Sequence, residues 1–396
     1  MSATKPASKP LAGVRILSAE QFAAAPYGTM FLAALGADVI KIENPDTGGD
    51  PARHGGPFML GPADGEYFQS WNLNKRSVAL DLKCDTGRAA LHGLVAGADA
   101  VVNNLRGDLP EQLGLDYAAL SKVRPSIVCV HISAYGRDTS RAAWPGYDYL
   151  MQAESGLMHL TGEPDAPPAR FGAPSVIDQM TGMSAMVGLL AALLRARETG
   201  QGCDIDVSLL DVAVHQLGYA AMWYLNEGLR LSRQPRSAHF SVAPVQTLRT
   251  QDGWIFLMCM TDKFWLELLG ALERQDLASD PRFATPGSRG AHREALTRIL
   301  DEEFARMPTS HWLRILNGRL PVAPVLDVAT ALDSGFLAEA GMVGEVSHPS
   351  RPSLKVLSNP LKIDGRRLEL AVCSALGADN AELLPDAAPR QATAKR

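Results

Sequence analysis

The stretch GVRILSAEQFAAAPYGTMFLAALGADVIKIENP, residues 13–45, sets the fold class. Gly13-Val14-Arg15-Ile16-Leu17 is a short apolar strand. Tyr27 to Leu35 carries helical spacing and closes at Gly36, because glycine takes the left-handed angles that end a helix without steric penalty. Asp38-Val39-Ile40-Lys41-Ile42-Glu43 is a second strand, stopped by Asn44-Pro45. A strand, a helix and a second apolar strand predict parallel pairing.

The same alternation continues outward. Ser77 to Leu82 reads as a strand, Thr86 to Ala96 as a helix, Ala100-Val101-Val102 and Ile127 to Ile132 as strands. Asp178 to Thr199 is the longest helix, closed by Gly200, followed by a strand over Asp204–Leu209 and a helix over Leu210–Asn226. Short buried strands alternating with helices predict an α/β fold with a parallel sheet covered on both faces. The pattern then changes. Gly228 to Arg236 is a polar, arginine-rich linker. Val245-Gln246-Thr247-Leu248 turns at Asp252-Gly253 into Trp254-Ile255-Phe256-Leu257, a hairpin. Helices follow around Lys263–Leu272, Ala291–Ala305 and Ser310–Leu316. The expected division is a large domain over 1–227 with 331–396 and a smaller α+β domain over 228–330. Pro321 to Val325 leads back to the first domain, where strands near Met342–Glu345 and Lys362 could rejoin it.

Of 396 residues, 46% are apolar and 20% charged, enough to bury a large core. A net charge of −5 argues against nucleic acid as a partner, which would call for a concentrated basic face. Five scattered cysteines without a C-x-x-C pair fit reduced thiols in a cytoplasmic enzyme. Met1 to Pro10 has no apolar core of a signal peptide, and the most apolar run, Met183–Leu194, is too short for a membrane span. The last dozen residues read as a frayed tail.

No G-x-G-x-x-G follows the first strand; Ala23-Ala24-Ala25-Pro26-Tyr27-Gly28 stands there instead. P-loop, H-E-x-x-H and G-x-S-x-G patterns are absent, and the histidines lack metal-ligand spacing, so no metal is expected. Asn72-Leu73-Asn74-Lys75-Arg76-Ser77 is either a phosphate-receiving cluster or a solvated turn. Asn103-Asn104-Leu105-Arg106-Gly107 follows a strand, where ligands of open sheets collect. Asp148, after Tyr147, could cap the helix that follows it. Thr161 to Pro168 is a stiff loop of the kind that positions a site. Asp178 stands where a Gly/Pro-broken stretch enters the longest helix. There it is either a helix cap or a carboxylate kept ionised by backbone N–H groups and ready to attack an electrophile.

With these segments in hand, the chain resembles the class III CoA-transferases of the CaiB/BaiF type, the family of formyl-CoA transferase and carnitine CoA-transferase. The resemblance rests on Leu35 to Glu43, Leu73-Asn74-Lys75-Arg76-Ser77, Gly146-Tyr147-Asp148 with Gln152-Ala153, Thr161-Gly162-Glu163-Pro164, Asp178 with Thr181-Gly182, Thr199-Gly200-Gln201-Gly202, and Pro321 to Val325. It implies a Rossmann-like large domain built from both chain ends, a smaller domain, and an interlocked homodimer. It implies Asp178 as nucleophile with Asp148 as its acidic partner. Coenzyme A, a substrate rather than a tightly bound cofactor, would lie along Ala23, Ala24, Asn44, Leu80 to Lys83, Asn104, Leu105, Arg106, Gln112 and Tyr147. Formyl-CoA transferase has arginine at the positions of Asn44 and Gln112, and its glycine-rich small-domain loop has no counterpart here. Formyl/oxalate specificity is therefore not expected, and Arg106 and Lys83 are the cations left for the phosphates.

Thus the expected activity is transfer of coenzyme A from an acyl-CoA, with succinyl-CoA as an example, to a small carboxylate. The expected route runs through an aspartyl anhydride and an aspartyl-CoA thioester, with Gly182 and Gln21 to Ala25 near the developing oxyanion. The alternative is an α-methylacyl-CoA racemase of the same superfamily. Its histidine would fall at Tyr147, and tyrosine is a poor base at neutral pH. A CoA-binding regulator without exchange activity is a third reading. Arg236 and His239 are candidates for holding a second carboxylate.

Overall fold

In a computed structural model, residues 9–172 and 174–384 are described. Residues 1–8 of the polar opening and the expected frayed tail lie outside them. The chain folds as two compact units. The larger runs to Ser155, resumes over Gly172–Gln216 and again from Gly335; the smaller takes Gly156–Phe171 and Leu217–Ser334.

The larger unit is organised by six parallel strands: β1 Arg15–Ala19, β2 Asp38–Glu43, β3 Arg76–Ala79, β4 Ala100–Asn103, β5 Val128–Ser133 and β6 Cys203–Ser208. Their order is β3-β2-β1-β4-β5-β6. This is the doubly wound order, in which successive connections diverge from β1 and leave a crevice between β1 and β4 at the strands' carboxyl ends. The described strand pairs are parallel throughout the sheet. Both faces are dry because alternate side chains enter separate cores. Ile16, Val39, Val102 and Val130 pack with α1 (Ala24–Ala34) and α5 (Val176–Thr199) on one side. Leu17, Ile40, Val101 and Cys129 pack with α3 (Asp85–Val95) on the other.

The remaining helices used below are α2 (Glu66–Asn72), α4 (Asp148–Ser155) and α6 (Leu209–His215). At 24 residues, α5 is longer than its apolar run suggested, and by length and composition alone it could cross a membrane. It packs instead on α1 and the sheet through Ala185, Met186, Leu189 and Leu193. Two glycines permit this closeness: a Cβ on Gly182 would lie 2.2 Å from the Ala24 carbonyl oxygen, and one on Gly28 would lie 2.7 Å from that of Gly182.

Several expectations need correction. The helix expected over Leu210–Asn226 is two, α6 and α7 (Tyr219–Glu227), because the chain breaks at Gly218, φ +52°. The unit boundary falls in that break, not at 227/228. Pro321–Val325 does not lead out of the smaller unit: Val322–Pro324 pairs with the hairpin as a third strand. Strands Val343–His348 and Lys362–Ile363 do belong to the larger unit, but each pairs in a two-stranded ladder of its own rather than joining the parallel sheet.

The smaller unit has the antiparallel strands β7 Val245–Arg249, β8 Trp254–Met258 and β9 Val322–Pro324. Its core gathers Leu248, Ile255, Leu257, Trp265, Phe283, Leu300, Phe304 and Trp312. The Thr161–Pro168 loop belongs here, and its carbonyls at Glu163 and Pro164 accept from the Arg233 guanidinium.

Candidate active site

The crevice at the carboxyl ends of β1, β4 and β5 is an open cleft, in the place where ligands of doubly wound sheets bind. The loop after β1 supplies Gln21, Phe22, Ala23 and Ala24; that after β4 supplies Asn104, Leu105 and Arg106. Ser133 ends β5 and Ala134 follows it, and Trp144, Pro145, Gly146 and Tyr147 come from the segment before α4. Asp178, in the first turn of α5, completes the wall. No histidine lines this cleft.

Asp178 does not cap its helix. Val176 is the first helical residue, and Ser175, left-handed at φ 58°, holds the cap position without a side-chain cap bond to the helix amides. Asp148 does the capping from another helix. Its Oδ2 accepts from the Ile177 N–H at 2.5 Å and the Asp178 N–H at 3.1 Å, and its Oδ1 accepts from Gln152 Nε2 at 2.6 Å. The buried Asp148 carboxylate thus satisfies amides that an α-helix leaves open at its start. The helix-cap reading fails for Asp178, and so does the idea that the helix start lowers its pKa. Burial first, and then the Asp148 charge, push the Asp178 carboxyl up to about 7, with Ser175 opposing weakly.

The facing wall is the start of α1. Ala23 is its cap residue, without a side-chain cap bond, and its first turn has no acidic residue. Helix geometry leaves the N–H groups of Ala23, Ala24 and Ala25 without intrahelical partners, and Pro26 has none to offer. All three alanines are buried. The approach to them is strained: Phe22 is left-handed at φ 57°, a conformation that costs a bulky residue about 1–3 kcal/mol.

Beneath this loop lies a closed ionic network. Arg53 binds Glu43 through two bonds of 2.7 Å, Lys41 reaches Asp50 at 2.8 Å, and Lys75 reaches Glu20 at 2.7 Å, all with side chains fully buried. Burial raises the Glu20 carboxyl, but Lys75 and Lys41 more than offset it, so it titrates below its ordinary range. Glu43 is likewise held low, with Arg53 and Lys41 outweighing burial. Burial takes the Lys75 ammonium down to about 8. Lys75 is therefore neither a phosphate ligand nor part of a solvated turn, and Arg76 is engaged by Asp38, Asp379 and Glu382.

Nine of the residues singled out from the sequence meet in the cleft: Gln21, Phe22, Ala23, Ala24, Asn104, Leu105, Arg106, Tyr147 and Asp178. Asp148 lies behind it. Four do not line it. Asn44 Oδ1 accepts from the Asp46 N–H, closing a turn. Leu80 is buried in the core on the α3 side. Lys83 and Gln112 are exposed elsewhere. Arg106 pairs with Asp108 at 2.9 Å, so its charge is already engaged. Gly182 gives close helix packing rather than an amide facing the cleft, since its N–H lies inside α5. Ser133, Ala134, Trp144, Pro145 and Leu209 were missed, although the strand-end rule that drew attention to Asn104 would have reached Ser133. In the smaller unit, Arg236 binds Asp301 at 2.5 Å, and His239 Nδ1 accepts from the Ser241 and Val242 N–H groups.

A family model described as CoA-transferase family III matches residues 11–380. The chain belongs to that family. The transferase is 35% identical to a succinyl-CoA:mesaconate CoA-transferase of Haloarcula hispanica over 358 residues, 88% of this chain and 89% of that one. It is 33% identical to a succinyl-CoA:glutarate CoA-transferase of Mus musculus, covering 88% of this chain and 79% of the relative. The crystal structure of a CaiB/BaiF family protein from Brucella suis superposes with a TM-score of 0.83 at 31% identity, covering 96% of this chain and 99% of that one. The protein is a CoA-transferase, moving coenzyme A from an acyl-CoA thioester to a carboxylate.

Proposed function

We propose that Asp178 is the nucleophile of this transferase. The observation that carries the reading is a carboxylate facing the switch-point cleft with a second carboxylate behind it and, among the described residues, no ion-pair partner, its pKa raised to about 7. Near neutral pH a large share is anionic, and the raised basicity makes that anion a better nucleophile than an ordinary aspartate.

Asp178 attacks the donor thioester carbonyl, giving an aspartyl–acyl anhydride and CoA thiolate. The thiolate attacks the Asp178 carbonyl, releasing the donor acid and leaving an aspartyl-CoA thioester. The acceptor carboxylate attacks that thioester to form a second anhydride. The retained thiolate then attacks the acceptor acyl carbon and frees Asp178. Each attack builds an oxyanion, for which the amides of Ala23, Ala24 and Ala25 are the proposed donors. Coenzyme A lies along Ala23, Ala24, Leu105, Arg106 and Tyr147. The donor is succinyl-CoA or a close analogue and the acceptor a small dicarboxylate, a reading supported by the names of the relatives.

The working unit is a cytoplasmic homodimer. Exposed Val187 and Leu194 on α5, with Met222 and Leu225 on α7, support association, and five scattered cysteines without a C-x-x-C pair suit a reducing compartment. Asp178→Ala is expected to abolish exchange, by about 10³-fold or more, while the protein stays folded. Acyl-CoA donors screened against a panel of mono- and dicarboxylic acids, with hydroxylamine trapping of the aspartyl intermediate, form the test. Wild-type turnover in Asp178→Ala overturns the assignment.

A further inference from the structure

We propose that Asn104 and Asp50 are positioning residues for the transfer step, gripping the loop Gln21–Phe22 from two sides so that the first amides of α1 face Asp178. The inference rests on the reading of Asp178 given above. Asn104 bonds one residue with both ends of its amide. Its Oδ1 accepts from the Gln21 N–H at 2.8 Å, and its Nδ2 donates to the Gln21 carbonyl at 2.7 Å. The side chain thereby imitates a neighbouring strand, at the point where β1 has ended and the backbone has no strand partner. Asp50 holds the next peptide. Its Oδ1 accepts from the Phe22 N–H at 3.1 Å, while Oδ2 lies 2.8 Å from Lys41 Nζ. Lys41 in turn donates to the Glu20 carbonyl at 3.0 Å.

Backbone polar groups from the Glu20 carbonyl to the Phe22 N–H are thus tied to side chains rooted in β2, in the loop after it and at the end of β4. The tie is needed because Phe22 is left-handed, a conformation a phenylalanine leaves when nothing holds it. A relaxed Phe22 turns the peptide that follows, and with it the Ala23 and Ala24 amides. Neither gripping side chain touches the reacting atoms; each acts through the loop. The sequence resemblance placed Asn104 against coenzyme A; the structure adds that both ends of its amide bond Gln21.

The experiment measures kcat, KM for the acyl-CoA and thermal midpoint for Asn104→Ala, Asn104→Asp and Asp50→Asn, beside wild type and Asp178→Ala. Asn104→Ala loses both bonds and is expected to lower kcat about 10- to 100-fold with KM within about threefold. Asn104→Asp keeps the shape and the acceptor but sets a carboxylate against the Gln21 carbonyl, so it too loses kcat. Asp50→Asn keeps an acceptor for the Phe22 N–H and is expected to lose less. Folded Asn104→Ala or Asn104→Asp with kcat within about twofold of wild type overturns the inference, as does a loss confined to KM, which would make Asn104 a simple coenzyme A contact. Should Asn104→Ala not fold, the two isosteric variants decide. An inactive wild type or an active Asp178→Ala overturns the nucleophile reading; an active wild type, inactive Asp178→Ala and unimpaired Asn104 variants overturn the positioning role alone.

Discussion

Two groups of carboxylates flank the loop after β1, and they are treated in opposite ways. Under the loop, Glu20, Glu43 and Asp50 are matched by Lys41, Lys75 and Arg53, with every side chain fully buried. Across the cleft, Asp148 and Asp178 share the start of α5 with no cation paired to either among the described residues. The first arrangement holds Glu20 and Glu43 below their ordinary range; the second pushes Asp178 up to about 7. Their pH signatures are opposite. Depressed carboxyls contribute stability above their unfolded value that is lost as pH falls. The raised Asp178 does the reverse: the folded state binds its proton more tightly, so its cost to stability appears as pH rises from about 4 to 7. Paired burial fixes a scaffold, whereas unpaired burial keeps a group reactive at the expense of stability.

The largest expected effect breaks the first group. Lys75→Met leaves Glu20 in the interior with the Thr29 hydroxyl and, 3.8 Å away, Lys41 as its remaining cation, and should destabilise by about 3–5 kcal/mol in denaturant unfolding. A loss below about 1 kcal/mol would show that the network carries no stability, contrary to the contrast drawn here. The second test removes the unpaired charge. Asp178→Asn should lose transfer yet melt at a higher temperature than wild type at pH 8, with the gain fading toward pH 4. An equal or lower midpoint at pH 8 counts against a raised Asp178 pKa. The smallest effects are two shifts of opposite sign in the acid limb of kcat/KM. Asp148→Asn keeps an acceptor for the α5 amides but removes the neighbouring charge, moving the limb to lower pH. Ser175→Ala deletes the one bond that favours the ionised form, moving it slightly higher. Shifts of the same sign would contradict this account of Asp178.

Much of the fold was legible because strand and helix periods report burial directly. β2 runs over the expected Asp38–Glu43, and the hairpin turns at Asp252-Gly253 as read. Gly200 closes α5 in the left-handed conformation expected of it. The end of α1 was equally clear, but its start was misplaced by three residues, because Ala24-Ala25-Pro26 carries no capping side chain to mark it. Gly218 escaped notice since a glycine among apolar residues does not declare whether its φ is positive.

The site was legible in part. Asp178, Tyr147 and Asn104-Leu105-Arg106 meet in one cleft, but Asn44, Leu80, Lys83 and Gln112 do not join them. Lys75 reads the same in sequence whether it faces solvent or Glu20, residues 55 apart in the chain. The cap of α5 was unreadable for the same reason, since it comes from Asp148, 29 residues before Ile177.

By itself the sequence determined the alternation of strands and helices, the family, and which residue types stand at the strand ends. These follow from local periodicity and from short segments whose chemistry is their own. Only the tertiary structure decided which charges would be paired. A carboxylate's pKa depends on the charges within a few ångströms and on the water removed around it, and chain order specifies neither. That is why Asp178, which looked like a cap kept ionised by its helix, stands as a raised carboxyl beside the residue that does the capping.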